Sequence, residues 1–378
     1  MEWNKDSLLP LEKFKQMRIT SPVVETAGGE AWNVYKYEDA KAVFTNYDVF
    51  SSQIGPPSLK DPIKSSVLHQ DPPKHQQLRK LVSQAFTPRI IEPLTPKIRE
   101  ITASLFDRVE QSGRMDGIAD FASPLPITII AEMLGVPMEH REQFKKWSDA
   151  LVRDDEDSIY QCQREMSEYF SVIAEDRRRH PQDDLITKLV EARIDHESLS
   201  HLEVIGFCIL LLVAGNETTT NLIASAMLAI TDLPEVRAQL LADRMLIPGA
   251  IEETLRYFSP VQMTNRRVKE DTVLNGKELK KGQLVHIWMA SANRDEDVFE
   301  GPDEFNIKRH PNPHLDLGSG IHFCLGAQLT RLETKIAIET LLDRFPNFRR
   351  DPAARLDRQD STKVFALKEL PIILKPQY

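Results

Sequence analysis

Cysteine is scarce in this chain: three occur among 378 residues, Cys162, Cys208 and Cys324, and they lie far apart. No CxxC pair is present, so the pattern is neither a disulfide framework nor a zinc ribbon, and it is typical of a reducing compartment. Internal repeats, low-complexity tracts and glycine/serine linkers are also missing from the sequence. The cysteine usage therefore predicts a cytoplasmic protein.

Long apolar runs and an excess of positive charge are missing as well. The longest apolar run, Phe207 to Ala214, is too short to cross a bilayer. The first residues lack the basic and then apolar segments of a secretory signal. The net charge of −9 argues against nucleic acid as the main partner. With 41% hydrophobic residues, the composition predicts a globular protein with a sizeable core and no membrane anchor.

Helical periodicity dominates the chain, and strand-like alternation is confined to short segments near both ends. The predicted helices include 98–109, 127–134 and 163–178, and the predicted strands are 31–37, 272–276 and 283–288. Pairing between the early and late strands would favour one domain over two. We therefore expect a mainly α fold with small β-sheets, formed by residues 1–378 as a single domain, with a β-containing region at about 20–60 packed on the helical body.

The most distinctive predicted helix begins at the capping box Ser200–Glu203 and runs to about Leu233, before Pro234. Its first half is apolar almost all round, which predicts burial. Its middle, Ala214–Thr220, combines glycine, a carboxylate and three threonines, which are poor choices for a buried helix centre. Two interpretations are about equally favoured: a local opening of the helix, or a polar turn whose threonine hydroxyls bond to the preceding turn.

The loop Leu317–Gly326 holds Cys324 among several glycines, directly before a helix-favouring run. A thiol at a helix N-terminus meets backbone N–H groups and the positive end of the helix dipole, which favour the thiolate. Glycine lets the backbone pass close to a flat, bulky group. The loop suggests a thiolate ligand of haem iron, although a lone cysteine is more often a small buried hydrophobic residue.

Two short charged motifs precede this loop. His75 and Arg79 are helical i,i+4 neighbours that could donate to the carboxylates of one ligand. Glu253 and Arg256 are i,i+3 partners, a common arrangement that gains meaning only when a third charged group joins it. Taken singly, each motif is more often an ordinary helix surface.

In this order and spacing, the motifs resemble the cytochrome P450 family of haem-thiolate monooxygenases of the soluble bacterial and archaeal type. Residues 317–326 resemble the family's FGxGxHxCxG loop, and Ala214–Thr218 resembles its [AG]Gx[DE]T pattern on the long central helix. Residues 253–256 match ExxR, and Phe305–Arg309 resembles the segment that completes that triad. The resemblance extends from about Ala31 to the C-terminus. It implies the cytochrome P450 fold, with haem between the central helix and the Cys loop.

The chain departs from the family pattern at Leu317, at Ile307 and in the segment 150–169, which is short and acidic where the family has its substrate lid. Leu317 stands where the family usually has phenylalanine beside the thiolate, which predicts a changed haem environment. Ile307 replaces a common proline before the triad arginine, and we expect little effect from it.

The resemblance implies haem b as cofactor, with Cys324 as the axial ligand of its iron and Glu217 and Thr218 as the proton-delivering pair. The expected propionate ligands are His75, Arg79, Arg266 and His322. The expected structural network consists of Glu253, Arg256 and Arg309. The expected substrate contacts, for which ordinary core packing is a serious alternative, are Ser66, Val67, Leu210, Ala214, Val261, Met263, Thr264 and Asn265.

The resemblance further implies a monomeric enzyme that hydroxylates an apolar small molecule of the fatty acid, steroid or terpenoid class with O2. Electrons would come from a ferredoxin or flavodoxin with its reductase, and the acid-free basic stretch Pro72–Ile91 suggests where an acidic partner docks. One alternative is a peroxygenase driven by hydrogen peroxide, which the intact Glu217–Thr218 pair disfavours. Another is a haem-based sensor, which the lack of an attached output domain disfavours.

Overall fold

The computed structural model describes residues 8–55, 61–151, 156–194 and 197–375. Helices predominate in these ranges, and the strands are short. The helices are α1 (Leu11–Thr20), α2 (Tyr37–Thr45), α3 (Lys74–Ser83), α4 (Pro88–Ile91), α5 (Thr95–Glu110), α6 (Pro124–Met133), α7 (Arg141–Leu151), α8 (Glu156–Arg179), α9 (Leu185–Glu191), α10 (His201–Asp232), α11 (Pro234–Ala242), α12 (Ile247–Phe258), α13 (Met289–Ala292) and α14 (Ala327–Arg344). The strands are β1 (Val23–Glu25), β2 (Ala31–Val34), β3 (Phe50–Ser51), β4 (Arg114–Asp116), β5 (Arg193–Ile194), β6 (Glu197–Ser198), β7 (Thr264–Val268), β8 (Thr272–Leu274), β9 (Lys277–Leu279), β10 (Leu284–Ile287), β11 (Arg349–Arg350) and β12 (Pro371–Ile373). The prediction of a mainly α fold with small sheets is confirmed.

The chain groups into two compact units. The first unit consists of Met1–Phe50, Arg99–Ala122 and Thr218–Tyr378, and the second consists of Ser51–Ile98 and Ser123–Glu217. The prediction that residues 1–378 form a single domain stays a prediction, as does the packing of the region at about 20–60 on the helical body.

The largest sheet has the strand order β1-β2-β10-β7-β3. Strand β2 pairs in parallel with β10, so that Ala31 lies opposite Leu284 and Val34 opposite Ile287. The predicted pairing of early and late strands is therefore confirmed. Val34, Val285 and Ile287 have no exposed surface, and they join a hydrophobic core that α2 covers with Tyr37, Ala40, Val43 and Phe44.

Aromatic packing in the first unit joins α5 to the end of α14. The Phe106 and Phe121 rings stack with centroids 4.1 Å apart, and Phe345 at the end of α14 meets Phe106 edge-on at 5.5 Å. Buried aromatic pairs of this kind add about 0.5–1.5 kcal/mol beyond the area they bury. They hold the far end of α14, the helix that the Cys loop precedes.

In the second unit, the first half of α10 packs closely on its neighbours. A Cβ on Gly206 would lie 2.2 Å from the Pro62 carbonyl oxygen, so only glycine fits this approach. The Phe86 and Phe207 rings meet edge-on at 6.4 Å, and Cys208 is fully buried. The predicted burial of this half of the helix is confirmed.

The long helix α10 begins and ends where the sequence predicts. Ser200 Oγ accepts a bond from the Glu203 N–H at 3.3 Å, while Glu203 Oε2 accepts from the Ser200 N–H at 2.7 Å. The helix ends at Asp232, and Pro234 begins α11. By length and composition α10 could cross a membrane, but 61% of its most apolar window is buried, as in the core helix of a soluble protein.

Of the two interpretations of the middle of α10, the local opening is wrong, because the α-helix is continuous from His201 to Asp232. The glycine in its middle serves close packing instead. A Cβ on Gly215 would lie 2.9 Å from Ile130 Cδ1 on α6, closer than ordinary contact. The polar residues of this stretch therefore belong to an intact helix.

Candidate active site

The Cys loop is a tight turn before α14, and it holds Cys324 by its backbone. The Cys324 N–H donates to the Leu317 carbonyl at 2.8 Å. Gly318 and Gly320 adopt left-handed φ values of 74° and 70°, which favour glycine. A Cβ on Gly320 would also lie 3.1 Å from the Phe44 carbonyl oxygen. The thiol is partly exposed and lies three residues before the first residue of α14, near the positive end of that helix.

The other two cysteines have a different environment. Burial, followed by the Glu165 charge, raises the pKa of Cys162 to about 12, and its thiol donates to the Trp147 carbonyl at 3.3 Å. Burial also raises the pKa of the Cys208 thiol. Both residues are therefore neutral core thiols, and among the three cysteines Cys324 has the surroundings that a metal-binding thiolate needs.

Two cationic residues of the first unit, Arg266 and His322, suit the propionates of a haem. Arg266 on β7 is 7% exposed, and its guanidinium lies over the Phe44 ring at 5.5 Å. Arg266 Nη1 donates to the Asn265 carbonyl at 2.8 Å, and its more exposed neighbour Arg267 donates to the Gly282 carbonyl. His322 closes a short turn two residues before Cys324. A thiolate accompanied by cationic donors matches a porphyrin iron with anionic propionates.

The second unit carries the other two expected propionate ligands. His75 and Arg79 lie one turn apart on α3, and His75 is 2% exposed. Lys74, at the start of the same helix, forms an ion pair with Glu203 at 2.6 Å. The charge of Lys74 is therefore engaged within this unit.

The expected proton-delivering pair, Glu217 and Thr218, lies on α10, where one unit ends and the other begins. The next residue, Thr219, is 1% exposed, and its Oγ1 shares a hydrogen bond with Thr330 Oγ1 on α14 at 3.0 Å. Successive residues on a helix differ in direction by about 100°. The Thr218 hydroxyl therefore lies on a different side of α10 from the Thr219 hydroxyl.

The expected structural network is assembled in the first unit. Glu253 and Arg256 have no exposed surface, and Arg256 Nε and Nη2 donate to the two Glu253 carboxylate oxygens at 2.8 Å each. Arg309 Nε adds bonds to Glu253 at 3.2 and 3.3 Å, and the Asn306 N–H adds another at 2.8 Å. The network fastens α12 to the segment that precedes the Cys loop.

The expected substrate residues are distributed over both units. Val261, Met263, Thr264 and Asn265 belong to the first unit, and the last two lie on β7. Ser66, Val67, Leu210 and Ala214 belong to the second unit, where all but Ala214 are buried. Their contact with substrate stays a prediction.

Sequence reasoning missed a second charged cluster beside the Cys loop. Glu252 accepts from Arg331 Nε at 2.7 Å and Nη2 at 2.8 Å, and His314 Nε2 lies 3.1 Å from Glu252 Oε2. Although burial alone would raise the pKa of Glu252, the bonds from Arg331 and His314 lower it to about 2. In the sequence, this cluster is indicated only by the two adjacent acids Glu252 and Glu253. That pattern does not identify Arg331 or His314 as partners.

Asp316, two residues after His314, was also missed. It is buried, and its Oδ1 accepts from the Val261 N–H at 3.2 Å. Burial raises the pKa of this carboxyl well above its usual range, while the Val261 bond opposes that shift. A carboxyl group thus fixes the backbone at one of the predicted substrate residues.

Comparison with known proteins agrees with this geometry. The family model "Cytochrome P450" matches residues 22–153 and 127–376. "Cytochrome P450 109" of Bacillus spizizenii is 45% identical over 382 residues, which cover 97% of this chain and 92% of that protein. The crystal structure of CYP109E1 from Bacillus megaterium in complex with testosterone has a TM-score of 0.90 at 41% identity, covering 97% of this chain and 100% of that one.

A further solved structure, the polyketide-synthase cytochrome P450 PksS of Bacillus subtilis 168, has a TM-score of 0.93 at 37% identity and covers 99% of this chain and 98% of that one. Fold, cofactor and enzyme class follow from this likeness: the protein binds haem b and is a monooxygenase that needs O2, a substrate and an electron donor. The resemblance seen in the sequence is confirmed, and the chain belongs to the cytochrome P450 family.

Proposed function

We propose that this enzyme hydroxylates an apolar small molecule of the fatty acid, steroid or terpenoid class. Its electrons come from NAD(P)H through a separate ferredoxin or flavodoxin and its reductase, and it works as a cytoplasmic monomer. The observation that carries the proposal is the partly exposed Cys324, held by the Leu317 carbonyl at the start of α14. Similar proteins have been solved with testosterone, with corticosterone and with an acyl carrier protein bearing hexadec-9Z-enoic acid, which supports an apolar substrate.

Haem bound through Cys324 supplies the oxygen-activating chemistry, and a thiolate ligand donates electron density to the iron more strongly than histidine does. The protein must deliver protons to the reacting side and exclude bulk water. We assign proton delivery to the Glu217 carboxylate and the Thr218 hydroxyl, which are adjacent on α10. The hydrogen bond between Thr219 and Thr330 supports Thr218, because it places the Thr219 hydroxyl on the α14 side of the helix and Thr218 on a different side.

The propionates are assigned to Arg266 and His322 in one unit and to His75 and Arg79 in the other. Charge-assisted hydrogen bonds from these side chains would be about twice as strong as neutral ones. Arg266 is favoured over Arg267 because its guanidinium is buried over Phe44, whereas Arg267 bonds to an exposed carbonyl.

The ligand assignment is tested by the carbon monoxide complex of the reduced enzyme. The wild-type complex should show the long-wavelength Soret band from which the family takes its name, and Cys324→His should abolish it. Cys162→Ala and Cys208→Ala are matched controls that should keep the band, because both thiols are neutral core groups. A wild-type complex with only the short-wavelength band would contradict the assignment.

Electron delivery is tested separately. NADH consumption with a surrogate ferredoxin and reductase should accompany product formation from an apolar substrate identified by its shift of the Soret band. Turnover supported by hydrogen peroxide but not by the ferredoxin system would favour a peroxygenase. Binding of carbon monoxide without turnover in either system would favour a sensor.

A further inference from the structure

One carboxylate joins both sides of the Cys loop. Glu252 on α12 meets His314, which precedes the loop, at 3.1 Å, and meets Arg331, which follows it on α14, at 2.7 and 2.8 Å. The Arg331 contact uses two guanidinium nitrogens and both carboxylate oxygens, the geometry that gives such pairs their strength and direction. The two flanks of the loop are thus connected through a single side chain on a third element.

The cluster is enclosed enough for its charges to act at short range. The side chain of His314 is 4% exposed, that of Glu252 29% and that of Arg331 36%. The hydrogen bond to Glu252 is the largest cause of the raised Arg331 pKa, and the charge of Cys324 contributes to the same shift. Arg331 lies on the second turn of α14, whose first residue Ala327 follows Cys324 by three positions, and its pairing with Glu252 keeps it a cation.

We propose that Glu252 is a positioning residue that clamps the Cys324 loop and offsets the positive charge of Arg331, thereby setting the reduction potential of the haem iron. The inference rests on the proposed function, because it takes Cys324 as the iron ligand. It goes beyond that assignment by naming the charges on this chain that tune the ligand.

The reduction potential should shift in opposite directions when Glu252 and Arg331 are neutralised. A cation near the thiolate stabilises the more negative ferrous state and raises the reduction potential of the iron. A nearby anion lowers that potential. Glu252→Gln removes the anion and leaves Arg331 uncompensated, so the potential should rise. Arg331→Gln removes the cation and leaves Glu252 uncompensated, so the potential should fall. A purely mechanical clamp would instead be loosened by both variants, and both shifts would have the same sign.

The experiment is an equilibrium redox titration of the substrate-free holoenzyme with mediator dyes at one fixed pH. At a given applied potential we expect the ferrous-to-ferric ratio to change at least about threefold in each single variant, where tenfold corresponds to ~59 mV for one electron. The reduction potential of the double variant should lie between those of Glu252→Gln and Arg331→Gln. Glu339→Gln is the matched control, because it removes a carboxylate on the same helix as Arg331 that pairs with Arg99 at 2.9 Å and with Lys335 at 3.7 Å.

Charge-retaining variants keep the test decisive if a neutral one loses haem. Glu252→Asp and Arg331→Lys should stay closer to the wild-type potential than the glutamine variants at the same positions. The proposal is overturned if both glutamine variants shift the same way, or if neither exceeds the Glu339→Gln control. The wild-type carbon monoxide band is recorded alongside: if it indicates thiolate ligation and the potentials do not separate, this inference fails while the proposed function stands.

Discussion

The buried Glu253–Arg256 network offers the most demanding test of what holds α12 to the segment before the Cys loop. Arg256 makes five hydrogen bonds: two to Glu253, and one each to the carbonyls of Asn293, Pro302 and Glu304. We predict that Arg256→Met, which keeps the length and apolar character of the stem, strongly destabilises the protein. The reason is that the substitution removes the main donor to the buried Glu253 carboxylate and the buried Asn293 carbonyl.

The expected magnitude follows from the partners that remain. Breaking a buried ion pair by removing one member costs about 3–5 kcal/mol. Arg309 and the Asn306 N–H still reach Glu253, which favours the lower end of that range. The Asn293 carbonyl loses the Arg256 bond, and an unsatisfied buried acceptor costs about 1–3 kcal/mol. We therefore expect a loss of about 4 kcal/mol in the free energy of unfolding, a large share of the roughly 5–15 kcal/mol of a typical domain.

The measurement is urea-induced unfolding of the holoprotein, followed both by far-ultraviolet circular dichroism and by the Soret band. Glu339→Gln again serves as control, because its partner Arg99 is 53% exposed and such pairs contribute about 0–1 kcal/mol. A loss below about 1 kcal/mol in Arg256→Met would refute the reasoning. It would show that the carbonyls and Glu253 are adequately served by water or by Arg309.

Three further outcomes are expected. Thr218→Ala should retain haem but form severalfold less product per NADH consumed, and unchanged coupling would contradict proton delivery through its hydroxyl. The pKa of Glu252 is lowered from 4.5 to about 2, so its stabilising effect is present above pH 4.5 and is lost as the pH falls through about 2. The stability difference between wild type and Glu252→Gln in urea titrations should therefore shrink across that interval, and a constant difference would contradict the shift. Charge reversal at the exposed Lys80 and Arg89 should slow reduction by a ferredoxin at low salt and matter little at high salt, whereas a salt-independent defect would exclude electrostatic docking there.

The sequence was sufficient to predict features that depend on local chemistry. The capping box at Ser200–Glu203 requires only two side chains three residues apart, and the structure shows both of its bonds. The glycine-rich stretch around Cys324 predicts a loop directly before a helix, and the structure has that loop before α14, with left-handed φ values at Gly318 and Gly320. The pairing of β2 with β10 was also accessible, because short alternating strands at both ends of a helical chain have few other partners.

A local opening of α10 was one of two equally favoured interpretations, and it was wrong because propensity is a weak guide inside a packed core. Gly215 looked like a helix breaker, yet its missing Cβ is what lets Ile130 approach the helix. Thr219 looked like an awkward buried hydroxyl, yet Thr330 on another helix is its partner. In both cases the deciding contact comes from a residue far away in sequence, which local composition does not reveal.

The adjacent acids on α12 show how much depends on direction rather than on residue type. Glu252 and Glu253 differ by about 100° around the helix axis. Glu253 therefore faces a buried network with Arg256 and Arg309, while Glu252 faces the buried His314 side chain and the partly exposed Arg331. A glutamate thus stabilises the fold at position 253, whereas the same residue type at position 252 acts on the surroundings of Cys324. Glutamine at 253 should accordingly lower the free energy of unfolding more than glutamine at 252, and the variant at 252 should be the one that raises the iron potential.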